Sequence, residues 1–391
     1  MRLNRAAHIF AAASLCIGIA MAQDHDRDHD RNRDRDIPHL DHVFVIMMEN
    51  HHYSQIIGNA VNAPFINNYA NSANLATNYF AVGHPSLTNY LEVVGGSNFG
   101  IVNDNPPDWH NTNCVSTLSV PVDESSAPMT CPIEGVGMDA PTPAVDTTNE
   151  GTPQDPIHND PFSAAPTMGI TIADQLVEHG MSWKSYQEDL PPYGGDRVNY
   201  SDGLVSTITQ SEPGMPKLYA VKHNPFAYFA NVQDGENPRL SVNRVADFHQ
   251  LFADLKSGRV PNYSLIAPNQ CHDQHGRGAN EVGPGCSVDA NAIAQGDATL
   301  SILIPAIKNS PAWEHGKNAI VVLWDESDYS SLPNQVVTIV DTSYAPTGKK
   351  SNVKYNHFSL LKTIEAGFGL DYLNHAADQN VTVMSDLFSA H

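Results

Sequence analysis

His42-Val43-Phe44-Val45-Ile46-Met47-Met48 runs without a charged interruption straight into Glu49-Asn50. A run of strand length that is apolar from Val43 on, and does not alternate, suits a strand buried on both faces of a sheet. Ala319-Ile320-Val321-Val322-Leu323-Trp324 repeats the pattern and again ends in acid, at Asp325-Glu326; residues 336–340 form a third such run. Helices are expected over residues 171–179, 243–256, 293–308 and 358–368. Buried strands alternating with helices predict an α/β fold, a three-layer α/β/α sandwich around a mostly parallel sheet.

Outward from this core the texture changes. Residues 1–22 carry Arg2 and Arg5, then a small and apolar run closing on Ala20-Met21-Ala22, the form of a secretory signal peptide with its cleavage site. The run is shorter than the ~20 residues a spanning helix needs, so no stable membrane anchor is expected, and the chain is read as secreted or periplasmic. Residues 23–37 alternate Asp, His and Arg with almost no apolar side chain and read as a disordered charged linker. Residues 38–391 are enough for one large catalytic domain. Within it, residues 103–165 are crowded with Pro, Asn, Asp, Thr and Gly, the composition of a loop-rich insertion, read here as a flap.

Four cysteines follow the leader, and their spacing favours two local pairs, Cys114 with Cys131 and Cys271 with Cys286, which an oxidising compartment would permit. The formal net charge is −22, and loss of the two leader arginines takes it to −24. Such a surface repels nucleic-acid phosphates, so no nucleic-acid partner is expected.

The chemistry gathers where strands end. In open parallel sheets ligands bind at the carboxyl ends of the strands, so Glu49-Asn50 and Asp325-Glu326 should project from one edge. Carboxylates brought together there repel one another and are costly to desolvate unless a cation joins them. Hard oxygen donors suit Mg²⁺, Ca²⁺ or Mn²⁺, and Zn²⁺ if histidine contributes. Acids after strands can equally cap the next helix. Between the two pairs lies Gly83-His84-Pro85-Ser86-Leu87-Thr88-Asn89-Tyr90-Leu91, a turn leading into a helical pattern. A serine at a helix start sits among unpaired N–H groups that favour phosphate, although an ordinary N-cap looks the same in sequence.

Met48-Glu49-Asn50-His51, the segment Gly83 to Tyr90, Lys222-His223-Asn224-Pro225-Phe226, Trp324-Asp325-Glu326 and Tyr355-Asn356-His357-Phe358-Ser359-Leu360-Leu361 together resemble, in order, the motifs of the bacterial and fungal phosphoesterases. That family holds acid phosphatases and phosphatidylcholine-type phospholipases C and lies within the alkaline-phosphatase-like superfamily. The resemblance implies an alkaline-phosphatase-like fold and a divalent metal bound by Glu49, Asn50, Ser86, Asp325 and Glu326. It also implies Ser86 as nucleophile, with Asn89, which matches a Thr-x-x-Asn spacing in related enzymes, donating to a phosphoryl oxygen. His223 or His272 is the expected proton donor, with Asp273 orienting one of them. Asn269, His272, Asp273 and His357 are candidates for a second metal, as in two-metal relatives.

The resulting expectation is metal-dependent hydrolysis of phosphate esters through a phosphoserine, on a small phosphomonoester. Two other readings stand beside it. One is a phospholipase C acting on phosphatidylcholine-type lipids, for which Tyr53, Trp109, Trp183, Tyr186 and Tyr228 are candidates for an aromatic head-group box. The other is an exported phosphate- or metal-binding protein without turnover.

Overall fold

The structure is a computed structural model and describes residues 37–99, 104, 170–190, 218–233, 237–276, 290–328 and 333–389. The expected leader, most of the linker, most of the 103–165 insertion and at least one cysteine of each expected pair lie outside those residues.

The two runs that end in acid are the centre of the fold. β1 (His42–Met48) and β7 (Asn318–Trp324) pair in parallel along their whole length, Met48 opposite Trp324. Both are buried on both faces except at His42, as their unalternated sequences require. The sheet also contains β2 (Asn74–Ala76), β4 (Trp183–Gln187), β5 (Val245–Asp247), β6 (Tyr263–Ala267), β8 (Thr338–Thr342) and β9 (Lys350–Ser351), in the order β5-β4-β6-β1-β7-β8-β2-β9. Every pairing is parallel except those of β8, which runs against β7 and β2. β3 (Tyr79–Phe80) and β10 (Tyr355–Asn356) form a small parallel pair of their own.

The helices fall into two groups. α2 (Ser86–Gly95) packs on α6 (His357–Phe368). α1 (Pro64–Ser72) packs on α5 (Ala290–Lys308), which in turn meets α4 (Phe248–Ser257). α3 (Ile172–Glu178) starts in a capping box between Thr171 and Asp174, near the expected boundaries. A mostly parallel sheet buried on both sides by helices is the predicted α/β class.

Two expectations are corrected. The run at 336–340 becomes a strand two residues later, because Val336 instead donates its N–H to the Tyr79 carbonyl at 3.0 Å beside the small sheet, and that strand runs antiparallel to β7 and β2. The helix expected from 243 begins only at Phe248: Val245–Asp247 pairs with β4 as an edge strand, and Asp247 caps the helix by accepting from Gln250 N–H at 2.9 Å. β4 and β6 have no counterpart among the sequence-derived elements.

Candidate active site

β1 and β7 deliver their terminal acids to one edge, as parallel neighbours must. Glu49, Asp325 and Glu326 are each no more than 1% exposed. The strand ends are tied directly, Asp325 N–H donating to the Met48 carbonyl at 2.9 Å and Asn50 N–H to Asp325 Oδ1 at 3.2 Å. Asn50 adopts φ 48°, a left-handed turn that Asn tolerates and that aims its amide back between the carboxylates. With its nitrogen turned inward, that amide donates to Glu326 Oε1 and Glu49 Oε2, 3.1 Å each.

The helix bearing the turn motif brings in Ser86 and Asn89 one turn apart. Ser86 Oγ donates to Glu49 Oε2 at 3.1 Å, and Asn89 Nδ2 to Glu326 Oε2 at 3.2 Å. Asn89 Oδ1 accepts from the N–H groups of Val82 and Gly83, which fixes the preceding loop. His84 Nδ1 lies 2.7 Å from Glu326 Oε2. Ser86 is thus no simple N-cap: its hydroxyl points to the first acid pair, while Asn89 on the same helix points to the second.

His223 completes the cluster. Its Nε2 faces Glu49 Oε1 and its Nδ1 faces Asp273 Oδ2, both at 3.1 Å, and its ring stacks on Tyr90. Neither approach lies along the line of a good hydrogen bond, and Glu49 Oε1 and Asp325 Oδ2 find no hydrogen-bond partner among the described residues. Asp273 is placed by the loop after β6, whose carbonyl accepts from Glu49 N–H at 2.8 Å.

Electrostatics follow from this crowding. Burial, then repulsion by Asp325, holds Glu49 well above the ordinary carboxylate range. Burial, then Glu326, does the same to Asp325; burial, then Glu49, to Asp273; and burial, then Asp104, to Glu326. Burial, with the nearby Lys222 charge, holds His223 below its usual value. Buried acids with unsatisfied oxygens are hard donors of the kind a divalent cation would take, and Glu49, Asn50, Ser86, Asp325 and Glu326 stand together at this sheet edge as candidates for that set.

A second grouping joins Glu49, His223 and His275, whose donor atoms lie within 4.8 Å of one another. There His275 Nε2 lies 3.1 Å from the Lys222 ammonium. Among the described residues this is the one group of three acidic or histidine donors lying so near one another; Glu49, Asp325 and Glu326 do not all approach as closely.

The structure does not assemble the other second-metal candidates. His272 turns to Glu188, with Nδ1 2.8 Å from both carboxylate oxygens. Asn269 donates to Asp189 Oδ2 at 2.6 Å. His357 lies 2.7 Å from the main-chain carbonyl of Asp325, behind the site, with Tyr79 on its other nitrogen. Of the two expected proton donors, His223 touches the Ser86–Glu49 pair, whereas His272 is held by Glu188. Of the aromatic-box candidates, Trp183, Tyr186 and Tyr228 are core residues, at most 1% exposed, and Trp109 lies outside the described residues.

Asp104 and Lys222 join the site without a clear signal in the sequence. Asp104 sits in the Pro- and Asn-rich stretch with no pattern to flag it. Lys222 stands within a quoted motif, where a lysine beside a histidine was the available signal.

A family model described as the phosphoesterase family matches residues 59–371. Among curated proteins, the chain is 26% identical over 306 residues to a phosphate-repressible acid phosphatase of Penicillium chrysogenum, covering 76% of this chain and 53% of that one. It is 24% identical over 342 residues to a probable acid phosphatase of Kluyveromyces lactis, covering 86% and 61%. A phosphatidylinositol-3-phosphatase of Mycobacterium tuberculosis is 26% identical over 343 residues, covering 88% and 81%. The chain thus spans little more than half the length of the two fungal proteins. Among solved structures, a protein in the alkaline phosphatase superfamily from Vibrio parahaemolyticus aligns with a TM-score of 0.44 at 14% identity, covering 86% of this chain and 68% of that one.

Proposed function

Because the chain belongs to the phosphoesterase family, we propose that it is a metal-dependent hydrolase of phosphate monoesters that works through a phosphoserine at Ser86. The observation that carries this reading is the pairing of Ser86 with Glu49 and of Asn89 with Glu326, which aims one helix turn at both strand-end acid pairs. Relatives named as acid phosphatases and as a phosphatidylinositol-3-phosphatase support a monoester over a phospholipase C substrate. So does the burial of three of the five aromatics that a choline box would need.

Ser86 Oγ attacks phosphorus in line, and its proton passes to Glu49 Oε2, 3.1 Å away. Glu49 Oε1 faces His223 Nε2 at 3.1 Å but off the line of a good hydrogen bond, so the ring must turn before the proton moves on to the imidazole, whose Nδ1 faces Asp273 Oδ2. As the phosphorus–oxygen bond to the alcohol breaks, His223 returns that proton to the departing alkoxide. Burial keeps His223 neutral at rest and makes its protonated form a strong donor. Asn89 Nδ2, which at rest donates to Glu326 Oε2 and the Gly83 carbonyl, turns its Glu326 hydrogen to a phosphoryl oxygen where negative charge grows. A divalent cation held by Glu49, Asn50, Asp325 and Glu326 would supply the positive charge that makes the Ser86 hydroxyl easier to ionise. Water then attacks phosphorus as the bond to Ser86 Oγ breaks; His223 takes the water proton, and it returns by way of Glu49 to Ser86 Oγ.

Ser86→Ala tests this. Turnover of p-nitrophenyl phosphate should fall by about 10³-fold or more, and acid-quenched parent protein should carry radiolabelled phosphate on Ser86. A folded, metal-retaining variant turning over at the parent rate would remove Ser86 as nucleophile; diacylglycerol release from phosphatidylcholine exceeding phosphate release from monoesters would favour the lipase reading.

A further inference from the structure

Lys222 is a lysine where a lysine is costly. Its side chain is 8% exposed, and its ammonium lies 3.0 Å from Asp104 Oδ2 and 3.1 Å from His275 Nε2. His275 Nδ1 sits 2.6 Å from the Gly276 carbonyl, so it donates there and leaves Nε2 to accept from Lys222, which fixes where the ammonium points. The other oxygen of Asp104 accepts from the Leu87 N–H at 3.0 Å. Leu87 follows Ser86 directly, in the first turn of a ten-residue helix.

One carboxylate therefore bridges a buried cation and a helix-start amide, beside the serine hydroxyl. Two oxygens on one centre, each held by one donor, is also what a phosphoryl group would present. The two partners differ in access: the Asp104 side chain is 31% exposed and the Lys222 side chain 8%, so solvent reaches the acid more readily than the cation. The acid is also badly placed for a permanent role, since it adds negative charge against Glu326 in a site already crowded with carboxylates.

We propose that Lys222 Nζ and the Leu87 amide receive two oxygens of the substrate's phosphoryl group, and that the Asp104 carboxylate is an internal occupant which the phosphoryl group displaces. The proposal rests on the phosphomonoesterase reading for its substrate, but not for its binding geometry. It gives the site a cation besides the metal, with Lys222 a binding group for phosphate and Asp104 its competitor. Substrate affinity is then set by the difference between two anions for one cradle.

Calorimetric affinity for inorganic phosphate and KM for p-nitrophenyl phosphate decide it, measured on the metal-loaded full chain. Asp104→Asn should tighten phosphate binding and lower KM severalfold. Lys222→Ala should weaken phosphate about 10- to 100-fold, the scale of a lost charge-assisted hydrogen bond, with partial rescue by added ethylammonium. In the double variant the gain from Asp104→Asn should disappear, since the competitor then has no cation to block. Phosphate affinity that is unchanged or weaker in Asp104→Asn overturns the proposal, as does unchanged affinity in a folded, metal-retaining Lys222→Ala protein. If Lys222→Ala fails to fold, Asp104→Asn alone still decides. If the parent turns over no phosphate ester, the functional reading fails while the phosphate calorimetry still tests the cradle.

Discussion

At the scale of single residues, the two histidines expected to donate a proton are separated by their partners. His223 lies between Glu49 and Asp273, whereas His272 is bound to Glu188, whose side-chain hydrogen bond raises its pKa. Loss of a general acid matters most when the leaving alcohol is poor. His223→Ala should therefore lower kcat about 10²- to 10⁴-fold on an alkyl phosphate such as glycerol phosphate, and far less on p-nitrophenyl phosphate. His272→Ala should change both within threefold, roughly, as expected of a group that does not touch the reacting atoms. Equal losses on both substrates would instead make His223 a binding or metal-holding group. Residue identity at the site was readable where chemistry leaves a pattern: acids ending apolar strands, and a serine and an asparagine one helical turn apart. It was not readable where contact alone assigns the role. Nothing in the spacing of Asp104 or His275 joins them to Lys222, and nothing separates His272 from Asp273, adjacent residues whose side chains go to different partners.

At the scale of elements, legibility tracked apolar content. β1, β7, α3, α5 and α6 announce themselves through buried runs or helical period. β4, Trp183–Gln187, does not, because its buried side chains include Ser185 and Gln187. Those polar groups are satisfied inside, Gln187 Nε2 donating to Ser185 Oγ at 2.9 Å and to the His223 carbonyl at 3.1 Å. The residues that hid the strand are thus the ones that anchor the backbone of His223. Strand direction was equally silent for β8, since a buried apolar run reads the same in either sense. The element that matters most for chemistry is α2, and its far end is locked as firmly as its start. Gly96 closes it at φ 71°, and a Cβ there would stand 2.5 Å from the Leu373 carbonyl. Gly96→Ala should cost roughly 1–3 kcal/mol from the left-handed backbone alone, read as a lower midpoint in denaturant titration. An unchanged midpoint would mean that the junction of α2 with the 373 loop gives way without cost.

At the scale of the whole molecule, two sources of negative charge must be told apart. One is the acidic excess of the whole chain, 43 acidic against 21 basic residues; the other, within that count, is the buried group of Glu49, Asp273, Asp325 and Glu326, all held above the ordinary carboxylate range first by burial. A carboxyl raised in the folded state binds its proton more tightly there than when unfolded. Its contribution to stability is complete below the unfolded pKa, about 4, and is lost as pH rises through the raised folded value. Metal-free protein should therefore melt at a lower temperature at pH 8 than at pH 5. A bound divalent cation reverses this, because it binds the ionised form and its stabilisation grows with pH, reaching about 2.7 kcal/mol at a hundredfold excess over Kd. Surface repulsion would also lower the melting temperature as pH rises, but it would respond to salt and not to one equivalent of metal. Thermal melts in chelator and in Mg²⁺, Ca²⁺, Mn²⁺ or Zn²⁺ at both pH values separate the two, with Asp325→Asn/Glu326→Gln as the control. That variant should lose the metal response and much of the chelator-state pH dependence while keeping the surface charge. A variant that kept both would place the cation, and the source of the pH dependence, somewhere other than the ends of β1 and β7.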